Sequence, residues 1–209
     1  MHTRYLCWLI SLLLFVALTS CTPTQQHITP TTIPVDPGKF PDSAVPYPVD
    51  YRTNFIRFLT IDRIDATVRD LYINPEALDE LRQGRPLPEN TIFVIEAYHA
   101  EMDENGSPVT DTDGRYIKAA PFDMIHVAER RSNWTDADFP SVVRAGRWNF
   151  GSFDVNSGSR FDEDLAACFN CHQAMANTDF LYSTEHLLTY LRTGEPQYMY
   201  CNLRQRVPC

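Results

Sequence analysis

Thr91-Ile92-Phe93-Val94-Ile95-Glu96-Ala97-Tyr98 is almost continuously apolar, with β-branched and aromatic residues at most positions. It predicts a strand buried on both faces. Working outward, Thr67–Tyr72 alternates and reads as a second, shorter strand. Asn105-Gly106 and Asp113-Gly114 are turn signals. Around them Arg115–Ala119, Met124–Glu129 and Arg147–Phe153 read as further strands. Connections this short require antiparallel pairing. Helices punctuate the pattern. Phe55, Phe58 and Leu59 share a helical face after Tyr51. Asn74-Pro75-Glu76 starts a helix that Gly84 ends, with Leu78 and Leu81 as its anchors. Asp162-Glu163-Asp164 opens another helix, and a last one runs from Thr184 to Arg192 and stops at Gly194. The fold class is therefore α+β, a mainly antiparallel β-sheet with a few helices.

The helix opened by the three acids carries Cys168-Phe169-Asn170-Cys171-His172. C-x-x-C-H is the attachment signature of a c-type haem. Two residues between the cysteines bring both sulfurs to their vinyl groups from one helical turn, and the next histidine supplies the proximal iron ligand. Cys168 and Cys171 are thus the covalent haem-binding residues and His172 the metal ligand, for one haem c. A C-x-x-C can also be half a zinc site or a redox dithiol. Cys201 and Cys209 are spaced too widely to complete a zinc set, and no βαβ unit precedes the motif.

Arg4 followed by the apolar run Leu6–Leu18 and Leu18-Thr19-Ser20-Cys21 form a bacterial lipoprotein signal, residues 1–20. Cys21 is then the lipidated N-terminus of the exported chain, anchored to a bilayer by its acyl chains alone. Thr22 favours the outer membrane in a cell that has one, with the domain on the periplasmic or extracytoplasmic face of the envelope. Residues 21–45 form a Pro- and Thr-rich tether. The haem domain spans 46–195, and 196–209 is a tail. Cys201 and Cys209, left over in an oxidising compartment, read as a disulfide or as two free thiols. The net charge of −9 argues against nucleic acid and against charge-driven binding to anionic lipid. It suits a domain that meets small molecules or a basic redox-partner protein.

Several residues are candidates for the other side of the iron. Met175 and Met199 would make a six-coordinate electron carrier, but Met175 lies one turn beyond His172. His99 and His126 sit on or beside strands. Glu96 stands amid apolar neighbours and is either a distal proton-transfer carboxylate, the one catalytic candidate, or a salt-bridged strand residue. Phe93, Phe122, Trp148 and Phe150 are core aromatics, some of them walling the haem.

C-x-x-C-H near the C-terminus excludes the small electron-transfer cytochromes c, and the strand-rich upstream chain excludes the helical-bundle cytochromes c′. From about Tyr47 to Thr184 the chain resembles the cytochrome P460 family, which includes the β-sheet cytochromes c′. The resemblance rests on Tyr51-Arg52, Asp62-Arg63, Leu71-Tyr72-Ile73-Asn74-Pro75-Glu76-Ala77, Gly84-Arg85-Pro86-Leu87-Pro88 and the strand Thr91–Tyr98. It continues through Val127-Ala128-Glu129-Arg130, Arg147-Trp148-Asn149-Phe150, the haem motif and Asp179-Phe180. It implies a mostly antiparallel β domain with one five-coordinate c-haem that oxidises hydroxylamine or binds nitric oxide, and a homodimer would be in keeping with it. The hydroxylamine-oxidising members cross-link a lysine of this strand to the haem. Ile95 occupies that place here, and Lys39 and Lys118 are the only lysines. That departure weighs against an oxidase. The two remaining classes are an electron-transfer cytochrome and a non-haem lipoprotein with a structural C-x-x-C.

Overall fold

The computed structural model describes residues 45–134, 145–161 and 165–202, all within the unit Val35–Cys209. The signal, Cys21, nearly all of the tether, the acids 162–164 and Cys209 lie outside the described residues. In chain order the elements are α1 (Tyr51–Asn54), β1 (Ile56–Arg63), β2 (Thr67–Ile73), α2 (Pro75–Arg82), β3 (Thr91–Ala100) and β4 (Lys118–Arg130). There follow β5 (Trp148–Asp154), α3 (Ala166–Gln173), a short 3-10 turn at Ala176–Thr178, α4 (Thr184–Thr193) and β6 (Gln197–Cys201). The six strands form one sheet in the order β5-β4-β3-β2-β1-β6. Every pairing is antiparallel except that of β6 with β1. The expected α+β fold with a mostly antiparallel sheet is the fold observed.

β3 lies between β2 and β4, which is why its sequence is apolar on both faces. Successive side chains point to opposite sides of a sheet. Phe93, Ile95 and Ala97 therefore share one side with Leu71, Arg69, His126, Trp148 and Phe150, the residues in register with them. Val94 and Glu96 share the other side with Tyr72, Asp70, Val127 and Ile125. On the first side an aromatic chain runs from Phe58 to Phe93 to Trp148, with ring centroids 5.8 and 5.5 Å apart. On the second side α1 is seated by Tyr51, whose ring meets Tyr72 edge-on at 5.5 Å.

The helix expected through Phe55, Phe58 and Leu59 is a single turn, α1, followed by a strand. The cause is a bulge: the register with β2 slips between Arg57 and Leu59. The extra residue turns Phe58 and Leu59 toward the same side, where both are buried. Two adjacent apolar residues on one side imitate a helical period. The two short strands expected at Arg115–Ala119 and Met124–Glu129 are one 13-residue strand, β4. Its register is irregular where Pro121 faces Tyr98, the place where a residue without an N–H does least harm to a ladder.

The segment expected to be a tail supplies the sixth strand. Tyr198 hydroxyl donates to the buried carboxylate of Asp62, which also accepts from the Tyr116 backbone N–H at 2.6 Å. Cys201 is buried and disulfide-bonded. These ties seat β6 parallel to β1 after the long excursion through α3 and α4.

Asn74 begins α2 as expected, and Gly84 follows its end in the left-handed conformation, φ 72°. The Asn74 side chain does not cap the helix, however. Its Oδ1 accepts from the Ile92 N–H at 2.8 Å and its amide donates to Glu76 at 3.0 Å, so it joins α2 to β3. Asn74→Ala leaves the Ile92 N–H without that acceptor, and stability in urea should fall by about 1–3 kcal/mol. Asn74→Asp keeps the acceptor but sets a second carboxylate against Glu76, so it should regain stability only at a pH low enough to protonate one of the pair. An alanine variant as stable as the wild type would refute this role.

Candidate functional site

α3 holds the cysteine motif against the first side of the sheet. Its anchor is Phe169, fully buried and packed on Phe150 of β5 with centroids 5.1 Å apart. His172, three residues on and so on the same helical face, stacks on the same Phe150 ring at 4.7 Å. Tyr182 closes the other flank of the imidazole at 5.4 Å. Cys168 and Cys171 are free thiols, half-buried and exposed respectively, and also three residues apart. The sequence placed these three groups together, and the structure brings them together on one turn and a half of helix.

One hydrogen bond decides what His172 can do. Its Nδ1 donates to the carbonyl of Phe180, a group that can only accept. The proton is therefore on Nδ1, and the Nε2 lone pair is free. Burial lowers the imidazole pKa, against an opposing pull from the Phe180 carbonyl. A neutral ring with a fixed tautomer is the form that ligates a metal.

That carbonyl is aimed by an unusual stretch of backbone. Asp179 and Phe180 both have positive φ, 53° and 64°, a conformation that costs a non-glycine residue of the order of 1 kcal/mol or more. Four contacts hold it. The Trp148 indole donates to the Asp179 carbonyl at 2.8 Å, and Arg130 donates to the Asp179 carboxylate at 3.3 Å. Phe180 N–H donates to the Met175 carbonyl at 2.7 Å. The fourth is packing: the Phe180 ring lies over Gly146, where an added Cβ would come within 2.4 Å of it.

The candidates for the opposite side of a metal fare differently. Met175 lies beyond the end of α3, in the turn that follows it, and its backbone is spent on holding Phe180. Met199 is on β6, at the edge opposite the β5 strand on which His172 rests. Five strand spacings separate them, about 24 Å. His99 is exposed and stacks on Phe122 at 4.0 Å. His126 is on the motif's side, in register with Ile95, and its Nδ1 meets Ser152 Oγ at 2.7 Å.

Glu96, read either as a distal carboxylate or as a salt-bridged strand residue, is found in an ion pair. It points to the sheet's second side, away from α3. It is fully buried, with Arg52 Nε at 2.9 Å and the Tyr72 hydroxyl at 3.4 Å. It is the salt-bridged strand residue of the two readings. Lys118 is turned to the same far side, where it meets the buried Asp70 carboxylate and lies 4.7 Å from the Tyr98 ring. Ile95, on the near side, is half-buried and pairs with Leu71 and His126.

Two free thiols and a neutral imidazole with an open Nε2, on one exposed-to-buried helix turn, are a donor set that fits covalent haem. They do not fit zinc: among the described residues no group of three or more His, Cys, Asp or Glu converges on a point. The sequence marked Asp179-Phe180 as part of the family resemblance but gave no sign that the Phe180 carbonyl orients His172, and Gly146 was passed over. Also passed over was Arg69, which lies on this side of the sheet in register with Ala97.

The model of the family described as Cytochrome P460 matches residues 48–183. No curated protein matches the chain. The match runs from α1 past the Asp179-Phe180 turn and so takes in every residue of the site just described.

Gly146 is the most sensitive test of that turn. An alanine there meets both the positive φ of 59° and the Phe180 ring. Gly146→Ala should destabilise the fold by about 1–3 kcal/mol and alter the signals of the His172 ring in NMR. An alanine variant in which the His172 signals are unmoved would show that Phe180 does not set the imidazole.

Proposed function

The chain belongs to the cytochrome P460 family of haem cytochromes, and from that premise we propose that it is an exported, lipid-anchored protein with a single covalent haem c that takes small nitrogen oxides at an open iron. Cys168 and Cys171 form the thioether bonds, and His172 Nε2 is the proximal ligand. The observation that carries the reading is the His172–Phe180 hydrogen bond, because it leaves Nε2 as the only ligating nitrogen. A backbone acceptor there also makes the imidazole a stronger donor toward a metal.

Bound at this place, haem supplies one coordination position for nitric oxide or a similar ligand. The chain's own residues do the rest. Phe169 and Phe150 fix the height of the helix on the sheet, and Phe150 with Tyr182 fixes the plane of the imidazole. The apolar surface of Ile95 and Leu71 excludes water. Met175 and Met199, the two methionines the sequence offered as candidates, are not placed to fill the sixth position, which weighs against the electron-transfer alternative. Glu96 and Lys118, the two groups that would have pointed to hydroxylamine oxidation, face the far side of the sheet in ion pairs. We therefore read the protein as a binder or redox handler of nitrogen oxides without the family's lysine cross-link. Its acidic surface, net charge −9, suits a basic redox partner.

At the two ends, Cys21 carries the lipid and Cys201 pairs with Cys209. The disulfide would fasten the edge strand β6 after its last residue.

Haem matured on the protein should resist extraction into acidic acetone, and the double variant Cys168→Ala, Cys171→Ala should be colourless. The reduced wild type should show a high-spin c-haem spectrum without a far red-shifted band. A tryptic haem peptide joined to a second peptide through Lys118 would restore the oxidase reading. A low-spin six-coordinate ferrous spectrum would point to electron transfer.

Membrane attachment is tested separately. Cys21→Ser should release the domain in soluble form or block its processing, with the haem spectrum unchanged. Wild-type protein found wholly in the soluble fraction would sink the lipid anchor.

A further inference from the structure

On the motif's side of the sheet there is a cavity of about 210 Å³, walled by Arg63, Arg69, Ala97, Phe122, Met124 and His126. Its charge is unbalanced. Asp65 is an acid whose charge acts favourably on Arg69, but its oxygens are bonded elsewhere, Oδ2 to Arg63 at 2.9 Å and Oδ1 to the Thr67 hydroxyl at 2.6 Å, so one carboxylate faces two guanidiniums. Arg63 Nε is buried without a partner. Arg69 has no hydrogen bond or ion pair among the described residues, although it is half-buried. Burial first, and the like charge of Arg63 second, push its pKa down to about 10.

A guanidinium half withdrawn from water that shares a single acid, Asp65, with a second guanidinium is only partly compensated, and the like charge beside it raises the cost. Arginine presents a planar fork of donors matched to the two oxygens of a carboxylate or similar anion. We propose that Arg69 and Arg63 form an anion site in this cavity, which takes one carboxylate or a nitrite-sized oxyanion. Two sources offer that chemistry on the motif's side of the sheet: a propionate of the bound porphyrin, or a free nitrogen-oxide anion. The first source rests on the haem reading above, and the second does not. Phe122, Met124 and Ala97 supply apolar walls that leave the arginines as the dominant attraction, with His126 as a further donor on the rim.

The test uses the full matured chain with Arg69→Leu, Arg69→Gln and Arg69→Lys. Resonance Raman propionate-bending bands report the porphyrin carboxylate. Titration with sodium nitrite, read by Soret absorbance and by the rise in unfolding temperature that a bound anion gives, reports the free oxyanion. Bands that move in Arg69→Leu and recover in Arg69→Lys assign the site to the porphyrin. Unmoved bands with nitrite affinity weakened by about tenfold or more assign it to the free anion. If neither readout changes while the haem absorbance stays that of the wild type, the inference fails. Should the leucine variant not fold, Arg69→Gln carries the same comparison. Wild-type protein without covalent haem would overturn the earlier reading and remove the porphyrin source, and the nitrite-induced rise in unfolding temperature, present or absent, then decides the anion site.

Discussion

The hydrogen bond from His172 Nδ1 to the Phe180 carbonyl is the constraint to which the site answers. A histidine in a flexible turn would sample both tautomers and many ring orientations. Here the acceptor is a backbone oxygen whose position is set by two consecutive left-handed residues. Those residues hold their conformation only because Trp148, Arg130, Met175 and the gap at Gly146 hold them. Trp148 and Arg130 belong to β5 and β4, and Phe150 of β5 carries the ring of His172 itself. The sheet edge formed by β4 and β5 thus positions both the imidazole and the group that orients it. A shift in that edge would be felt at Nε2.

The two sides of the sheet divide the work. On the far side Glu96 pairs with Arg52, and Asp70 pairs with Lys118 and Arg57 and accepts from the Thr60 hydroxyl. Asp62 there fastens β6 and the loop at Tyr116. Buried ions are tolerated when they are paired and hydrogen-bonded, and these pairs join elements distant in sequence. The near side is aromatic and aliphatic around α3, then turns cationic at Arg63 and Arg69. The ionised groups of the far side are paired or hydrogen-bonded, although Asp62 Oδ1 is buried without a partner, and the near side carries two guanidiniums against the one carboxylate of Asp65. Ligand chemistry belongs on the second kind of surface.

The sequence by itself determined what is local. C-x-x-C-H places two thiols and an imidazole by helix geometry alone, since three residues make nearly one turn. Asn74-Pro75 and Gly84 bound α2 because φ is restricted at proline and free at glycine. The apolar run Thr91–Tyr98 could be buried only as an inner strand, and the order of its neighbours carried the family. Tertiary structure decided the rest. Ile95 and Glu96 are adjacent, yet one faces the motif and the other faces Arg52, 44 residues away; register sets that, and a one-residue slip would exchange them. The bulge at Phe58 imitated a helical period, and β6 became a strand through Asp62, 136 residues before Tyr198. The Phe180 carbonyl has no side chain to announce it. Nor can Arg69 be known to share its one favourable acid, Asp65, with Arg63 until the strands are brought together. Local rules act over a few covalent bonds, whereas partners across a sheet are chosen by packing and hydrogen bonding among residues that the chain order keeps apart.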